Sequence, residues 1–392
     1  MDSAGLGTLI IVLITCLFIY ITWNATYRNR NLPPGPTPLP LIGNLLQIKW
    51  GQLANSLMKY RNQYGSIYTV YFGTRPIIVL CGYETVKEAL VDRGEEFAGR
   101  GRIPPIEKLT QGYGISLTNG ERWRQLRTFT FKSLREFGFG KKTFEEKVQV
   151  EAKSVVEELK LLKGKSLDVT RLFMDALSNV LFSIIFGNRY EYKDERFVKF
   201  LAVVEETFHI MSCPWGQLHA ILPGVMDYIP GPHQQIPSIS KELISFIRDR
   251  IKVHEKTLNP DAPRDFIDVF LIKMEKEKND PNTDFIEMNL IMIIHNLFIA
   301  GIEAVTATLR HGMLITLKYP EIQGVNLIMG VGAGDFPDSV QSLYCCLRVR
   351  VIQSLFGVCL IMVGLVCVGL SSRFVACPQF CHQMSCLFLL HI

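Results

Sequence analysis

The sequence predicts a mainly helical fold with a small β-sheet, an α+β class, carried behind an N-terminal transmembrane helix. Three observations predict it. An uncharged apolar run lies near the N-terminus, and two short neighbouring segments are rich in β-branched and aromatic residues. Several long segments repeat apolar residues at i, i+3 and i+4, which is typical of amphipathic helices.

Composition excludes two classes of protein. Of 392 residues, 48% are apolar and 20% are charged, with a formal net charge of +5, which excludes a disordered polyampholyte and a small disulfide-stapled domain. Seven of the ten cysteines lie in the last 48 residues. This abrupt change indicates a long ordinary segment followed by a tail of different character.

Residues 1–27 are predicted to form a signal-anchor helix. Gly5 to Trp23 provides 19 mostly apolar residues, about 28 Å of helix, which spans a bilayer. A cleaved signal peptide is disfavoured because no basic segment precedes the run and no small-residue cleavage site follows it; a buried core helix is the other alternative. Arg28 and Arg30 follow the run, so the bulk of the chain is expected in the cytosol.

A Pro-rich strut is predicted over residues 28–40. Five prolines occupy the eight residues from Pro33 to Pro40. Because proline fixes φ and lacks an N–H donor, this segment is stiff and non-helical and holds the next domain at a set distance from the membrane. A flexible linker is the alternative.

The next segments alternate β and helical patterns. Ser66–Gly73 and Pro76–Gly82 are predicted to form a hairpin around Thr-Arg. The mixed charges of Lys273–Pro281 predict a solvated surface turn. Apolar residues at helical spacing predict five helices: Glu84–Val91, Asn119–Leu134, Phe144–Leu162, Arg196–Met211 and Ser240–Lys256.

A very long helix is predicted from Phe285 to Lys318, ending near Pro320. It is mostly apolar on all sides, which indicates burial in a large domain or in a membrane. Its internal polar residues favour burial in protein, because a charge at the bilayer centre is costly; they are Asn289, His295, Asn296 and Glu303.

Several short motifs follow one another in a specific order along the chain. After the anchor and the Pro-Pro-Gly-Pro strut come Leu41–Leu46 (LIGNLL), the hairpin, Phe97–Arg102 (FAGRGR), Asn119–Arg127 (NGERWRQLR) and Ala300–Glu303 (AGIE). From Met1 to about Gln323 the chain closely resembles a microsomal family 2 cytochrome P450. The resemblance implies a P450-like fold and haem b as cofactor. It also implies oxidation of fatty acids, steroids or xenobiotics at the endoplasmic reticulum membrane, with O₂ and NADPH-derived electrons.

The resemblance implies haem contacts for three residues. Trp123 and Arg127 are i, i+4 on one helix face, so an indole N–H and a guanidinium can both reach one carboxylate. In the family these positions, together with the one matching Arg100, bind the haem propionates. A surface Trp-Arg stack is the alternative reading of the pair alone.

Partners also follow from the resemblance. Residues 122–142 contain seven basic residues and one acidic residue, Glu136. In the family this face docks the acidic NADPH-cytochrome P450 reductase, and cytochrome b5 is a further candidate; a basic patch would steer either encounter. A plain solvated face is the alternative. Membrane lipid is expected as a partner and nucleic acid is not.

The long helix carries the family's distal acid and threonine, which help to deliver protons to the reacting oxygen. Glu303 matches the acid, but Ala304 stands where the threonine is expected. Alanine has no hydroxyl, so proton delivery would be impaired; Thr306, about 200° round the helix, does not substitute. Leu117 and Ala300 match positions that line the substrate pocket, and as isolated residues they also suit an ordinary core.

The resemblance stops after Gln323. The Glu-x-x-Arg helix and the Phe-x-x-Gly-x-x-x-Cys-x-Gly loop, whose cysteine ligates iron, are missing from residues 324–392, which contain five charged residues and no Glu or Lys. Cys367 follows its glycine too closely and lies in an unbroken apolar run, so we reject it as the ligand. We therefore expect residues 41–323 to be an incomplete P450 domain without a haem-ligating cysteine, and haem not to be stably bound.

The tail leaves several alternatives. Val351–Leu370 is 20 residues without a charge, long enough for a second membrane span. Gly330–Gly334 lacks the Lys and Ser/Thr of a phosphate loop. Cys377, Cys381, His382 and Cys386 do not follow a usual zinc spacing. A retained intron or a frameshift would explain the change of character, and aligning transcript with genome tests this.

Two functions compete. The first is membership of the family 2 P450 monooxygenases, with this polypeptide a catalytically incompetent truncated isoform. The alternative is a non-enzymatic two-span membrane protein with a Cys/His metal-binding tail.

Overall fold

A computed structural model describes residues 12–23, 31–40, 42–49, 53–101, 103–138, 142–163, 167–319 and 387–391. The chain divides into two compact units. The first contains Met1–Ile103, Ala220–Gly224 and Gly369–Ile392, and the second contains Pro104–His219 and Val225–Val368.

The first unit contains the β-sheet. Strands β1 (Ile67–Phe72) and β2 (Arg75–Cys81) form an antiparallel hairpin, and β3 (Leu387–His391) pairs antiparallel with β2. The hairpin is confirmed, but its predicted Thr-Arg turn is wrong by one residue. Arg75 pairs with Phe72, so the turn is Gly73-Thr74, and Gly73 adopts a φ of 64° that glycine tolerates.

Short helices complete this unit. Helix α1 (Val12–Trp23) presents most of its apolar side chains to the outside, as a lipid-facing helix would. Helix α2 (Leu53–Tyr64) packs on the hairpin, and α3 (Tyr83–Lys87) continues into a π-helical turn at Glu88–Asp92. Residues 5–11 of the predicted anchor lie outside the described residues.

The Pro-rich segment is attached to the sheet. The backbone N–H of Thr69 donates to the Pro34 carbonyl over 2.9 Å, and the Thr69 hydroxyl donates to the Pro33 carbonyl over 2.8 Å. A Cβ on Gly35 would come within 1.8 Å of the Thr69 carbonyl oxygen, so only glycine allows this approach. The described end of α1 is also fixed to this segment, since the Trp23 indole donates to the Pro38 carbonyl.

The second unit is helical, and α13 (Glu287–Lys318) runs through its core. The unit's long helices are α5 (Gly120–Glu136), α6 (Lys142–Leu161), α7 (Val169–Ile185), α8 (Glu195–Ser212), α11 (Ile236–Thr257) and α12 (Phe266–Glu277). Its shorter helices are α4 (Pro104–Thr110), α9 (Pro214–Ile221) and α10 (Pro223–Met226), and the last two include residues of the first unit.

Aromatic side chains hold α7, α8, α11 and α13 together. Phe182 contacts Phe200, Phe246 and Phe298, with ring centroids 5.0–6.0 Å apart. Phe182 and Phe298 are fully buried, and buried aromatic rings contribute both apolar area and edge-to-face attraction. The cluster packs α7 against its neighbours. Helix α7 was not among the helices predicted from the sequence.

Helix α13 settles the choice between membrane and protein burial. Glu287–Ile315 is long and apolar enough to span a membrane. However, 72% of its most apolar 18-residue stretch is buried inside the protein. Asn289, His295 and Asn296 are 0–6% exposed. The predicted burial of this helix in protein is therefore confirmed.

One surface prediction was wrong. Lys273–Pro281 is not a turn throughout, because α12 continues to Glu277. Lys273 forms an i, i+4 ion pair with Glu277, and Phe266, Phe270 and Leu271 pack into the core, so packing extends the helix beneath its charged surface.

Most predictions about the tail lie outside the described residues, which include only 387–391 of residues 324–392. This holds for Val351–Leu370, Gly330–Gly334, Cys367 and the cluster formed by Cys377, Cys381, His382 and Cys386.

Candidate functional site

Two asparagines of α13 hold the loop at residues 111–118. Asn296 Oδ1 accepts hydrogen bonds from the backbone N–H groups of Ile115 (3.0 Å) and Ser116 (3.1 Å). Asn289 Oδ1 accepts from the N–H of Gly114 (3.0 Å). The two amide oxygens accept hydrogen bonds from backbone N–H groups of the loop. Without them, these N–H groups would lose their bonds to water on folding and gain none in return.

Gly114 is required at the centre of this contact. Its φ is +87°, and a Cβ there would lie 2.5 Å from Asn296 Oδ1. A side chain would therefore be strained by the backbone and would push the loop off the asparagine.

Two residues predicted to line the substrate pocket lie close to the clamp residues along the chain, and their place in a pocket stays a prediction. Leu117 follows the clamped backbone and is half-buried, and Ala300, also half-buried, lies one helical turn after Asn296. Sequence reasoning named Asn289 and Asn296 only as signs of burial and missed their role in positioning the loop. Their i, i+7 spacing in an apolar helix was the available signal, because it places both amides on one face.

The helix turn at the predicted distal position carries two threonine hydroxyl groups near Ala304. Ala304 is half-buried, and its carbonyl accepts a 2.7 Å hydrogen bond from the Thr308 hydroxyl. Thr306 is 1% exposed, and its hydroxyl has no hydrogen-bond partner among the described residues. Neither hydroxyl replaces the one missing at position 304, because one is bonded to the backbone and the other is buried on another face.

Glu303 lies in a partly buried, charged environment. Burial raises the pKa of its carboxyl group, the nearby Arg310 guanidinium lowers it, and Glu205 on α8 raises it again, with a net upward shift. A carboxyl group with a raised pKa exchanges protons closer to neutral pH than an exposed glutamate does.

On α5, Arg127 lies over the ring of Trp123. The guanidinium carbon is 5.2 Å from the Trp123 ring centroid and 5.4 Å from that of Phe131, and the Trp123 and Arg127 side chains are half-buried. This i, i+4 pair combines a fixed positive charge with an indole N–H, which suits a carboxylate ligand. Arg100 is 5% exposed in the first unit; the haem contacts of all three residues stay predictions.

Part of the basic segment is already engaged. Arg122 pairs with Asp284 over 2.5 Å and lies 5.6 Å from the Tyr113 ring centroid, so it fixes α5 rather than facing a partner. Among the described residues of the segment, four basic side chains are exposed: Arg124, Lys132, Arg135 and Lys142.

A buried ion network links α11 to α12. His254 Nε2 lies 2.8 Å from Asp265 Oδ2, and Arg264 binds both oxygens of Asp268 over 2.7 and 2.9 Å. The side chains of His254, Asp265 and Asp268 lie close enough together to hold a metal ion. The Arg264 charge already compensates Asp268, so the cluster is better explained as a structural ion pair network.

The described cysteines do not suit a thiolate ligand. Cys81 is buried, and burial raises the pKa of its thiol. Cys213 donates to the Ile210 carbonyl over 3.1 Å, and Cys16 is exposed on α1. At Cys81 the effect of burial outweighs those of Arg61 and of the Tyr68 hydrogen bond, which lower the pKa, so its surroundings do not favour the thiolate that iron requires.

Comparison with known proteins identifies the family. The family model "Cytochrome P450" matches residues 33–324. The chain belongs to the cytochrome P450 family, and its relatives place it in family 2.

This P450 chain resembles several family 2 proteins at similar levels. Cytochrome P450 2G1 of the rabbit Oryctolagus cuniculus is 47% identical over 324 residues, covering 82% of this chain and 66% of the relative. Cytochrome P450 2G1 of Rattus norvegicus is 46% identical over 322 residues (81% and 65%), and cytochrome P450 2F2 of Mus musculus is 44% identical over 319 residues (81% and 65%). The P450 chain thus spans slightly less than two thirds of these relatives' length.

Proposed function

We propose that residues 41–319 form the distal part of a family 2 P450 monooxygenase domain, whose complete form oxidises lipophilic substrates such as fatty acids, steroids or xenobiotics. The observation that supports this most is the loop clamp, in which Asn289 and Asn296 of α13 hold the backbone of residues 114–116, directly before Leu117. A pocket wall formed by the apolar side chains of Leu117 and Ala300 would suit ligands without strong polar groups.

The haem would supply oxygen activation when bound. The residues of this chain suited to hold its propionates are Trp123 and Arg127, with Arg100 as a third candidate from the resemblance. Glu303 would hold a proton near the distal position, and Ala304 supplies no hydroxyl to pass it on.

We propose further that a polypeptide of these 392 residues does not carry out monooxygenation. Two observations support this: no Phe-x-x-Gly-x-x-x-Cys-x-Gly pattern occurs in the printed sequence, and the surroundings of the buried Cys81 do not favour a thiolate. Cysteine thiolate donation is what favours O–O cleavage in this family's chemistry.

Membrane attachment and partners complete the proposal. Helix α1 would anchor the chain in the endoplasmic reticulum membrane, with the bulk of the chain cytosolic. The exposed basic face of α5 and α6 would meet NADPH-cytochrome P450 reductase, and cytochrome b5 as a second acidic partner.

The reduced, CO-bound absorption spectrum tests the proposal. We expect no thiolate-type Soret band from the 392-residue polypeptide. A chimera in which the residues after Gln323 are replaced by the matching part of rabbit cytochrome P450 2G1 is the control, and it should show that band. A thiolate-type band from the unaltered polypeptide would overturn the proposed inactivity, and a chimera that binds haem without oxidising any lipophilic probe would overturn the proposed activity.

A further inference from the structure

A pair of buried histidines lies in the second unit, away from the candidate site. His219 on α9 is 7% exposed, and His233, in the 3₁₀ turn Pro232–Gln235, is 1% exposed. Their ring centroids are 4.7 Å apart, with an interplanar angle of 57°.

The hydrogen bonds of the pair fix which ring nitrogens carry protons. His219 Nε2 lies 2.9 Å from Asp227 Oδ1, and His233 Nε2 lies 2.8 Å from the Met226 carbonyl oxygen. The other oxygen of Asp227 lies 2.6 Å from Lys108 Nζ, so this side chain is paired with a cation as a carboxylate. A carboxylate and a carbonyl only accept hydrogen bonds, so both Nε2 atoms must donate.

With Nε2 as the donor, Nδ1 is the ring nitrogen that offers a lone pair when a metal ion displaces any proton from it. Both Nδ1 atoms are buried, and neither has a hydrogen-bond partner among the described residues. A buried acceptor without a donor costs free energy. Two such acceptors side by side indicate a ligand that binds to both nitrogens.

The surroundings match those of a metal-binding histidine. Such a residue typically donates its other ring N–H to a carboxylate or to a backbone carbonyl, which fixes the ring and raises its basicity. Asp227 does this for His219, and the Met226 carbonyl does it for His233. The zinc ion's tetrahedral bonds of about 2.0–2.1 Å place two nitrogens about 3.3 Å apart, which rings 4.7 Å apart can meet.

Neighbouring residues keep the second ring in place. The Trp215 indole lies parallel to the His233 ring, with centroids 6.0 Å apart and an interplanar angle of 6°. A Cβ on Gly231 would lie 3.0 Å from His233 Nδ1 and 2.8 Å from the Trp215 ring. The absence of a side chain at Gly231 therefore leaves space beside His233 Nδ1 that a Cβ would fill, although the nitrogen itself is buried from solvent.

We propose that His219 and His233 bind a divalent first-row cation of the zinc type through their Nδ1 atoms, with water completing the coordination. Asp227 is the carboxylate behind the first ligand, and Lys108, whose Nζ lies 2.6 Å from Asp227 Oδ2, moderates its charge. Imidazole nitrogens suit zinc and copper. The site is independent of haem and of the proposed oxidation chemistry.

Zinc affinity measured by competition with a chelating dye tests the proposal. The protein is the full chain in detergent with Cys377→Ser and Cys381→Ser, which removes zinc binding by the tail cysteines. We expect one Zn²⁺ per chain. His219→Ala and His233→Ala should each weaken binding at least about tenfold, and Asp227→Asn about tenfold through the outer shell. His209→Ala, an exposed histidine of α8, is the matched control and should change nothing.

Two further measurements separate loss of the site from loss of the fold. Lys108→Met should tighten zinc binding, because Asp227 then polarises His219 more strongly, and a misfolded variant cannot bind more tightly. Cu²⁺ bound to the parent should show hyperfine coupling to two nitrogens in its electron paramagnetic resonance spectrum, and to one in His219→Ala. Absence of zinc binding by the parent, or affinity unchanged in both histidine variants, would overturn the proposal.

Discussion

At the residue scale, single polar side chains decide how backbone is positioned around α13. The amide of Asn296 accepts two backbone hydrogen bonds, and Asp175 of α7 is a carboxylate that is only 7% exposed. Buried groups of this kind have large effects because the interior offers no water to replace a lost partner.

Replacing Asn296 should release the loop. Asn296→Ala leaves the N–H groups of Ile115 and Ser116 unpaired, so we expect the free energy of unfolding to fall by about 2–4 kcal/mol. Hydrogen exchange at residues 114–116 should accelerate more than at other second-unit amides. Gln149→Ala, an exposed amide on α6, is the control, with an effect within about 0.5 kcal/mol. Unchanged exchange in the loop would contradict the clamp.

Asp175 gives a pH-dependent prediction. Burial raises its pKa to about 6, Glu205 and Glu158 raise it too, and Arg171 only partly offsets this. Because the folded state favours the protonated form, the parent should lose stability as pH rises from about 4 to about 6. Asp175→Asn cannot ionise and should gain on the parent over that window, by up to about 3 kcal/mol.

Thermal unfolding at several pH values measures this difference. The 2.9 Å ion pair of Asp175 with Arg171 is already included in the raised pKa, so its loss in Asp175→Asn does not change the direction of the difference. A parent-minus-variant difference that is constant from pH 4 to pH 7 would show that Asp175 keeps an ordinary pKa.

At the element scale, α13 joins two environments. Residues 289–298 are buried, whereas Leu314 and Leu317 near its end are 56% and 63% exposed. The two glycines of the helix lie in these different environments. A Cβ on Gly301 would lie 3.0 Å from Leu181 Cδ1, and one on Gly312 would meet no atom within 4 Å among the described residues.

These glycines should respond differently to alanine. Gly312→Ala should raise the free energy of unfolding by up to about 1 kcal/mol, because alanine has the higher helix propensity and nothing described obstructs it. Gly301→Ala should gain less or lose stability, since Leu181 must move. Denaturant unfolding of the matched pair checks this, and equal gains would mean that α7 accommodates the methyl group freely.

At the scale of the whole molecule, attachment to the membrane depends on short segments. Helix α1 exposes apolar side chains such as Phe18, which is 67% exposed, whereas the longest apolar helix, α13, is mostly buried in protein. Burying an apolar surface in lipid is favourable in proportion to its area. The proposed anchor is therefore residues 1–27, of which the structure describes 12–23.

Deleting residues 3–27 should make the chain extractable from membranes by alkaline carbonate, because the exposed apolar helix α1 is then lost. Deletion of residues 351–370 is the matched control, and that variant should stay in the membrane pellet. The opposite pattern, in which only the second deletion releases the chain, would contradict the single N-terminal anchor.

Much of the fold could be predicted from local patterns. Helices α5, α6, α8 and α13 begin and end within three residues of their predicted limits, because amphipathic spacing is a local property. The hairpin also followed from its β-branched residues. Helix α7 was not predicted, although polar residues such as Arg171, Asp175 and Asn179 recur along it at helical spacing. Helix α12 was not predicted either, because the exposed charges of its second half were assigned to a surface turn.

The sequence by itself determined the family, the order of the elements, the alanine at position 304 and the missing iron-ligand pattern, since each is a matter of residue identity. Tertiary structure decided the rest. The loop clamp, the histidine pair and the raised pKa of Asp175 join residues far apart along the chain, such as Ile115 and Asn296. Hydrogen bonds and burial depend on distances in space, and only the packed chain sets those distances.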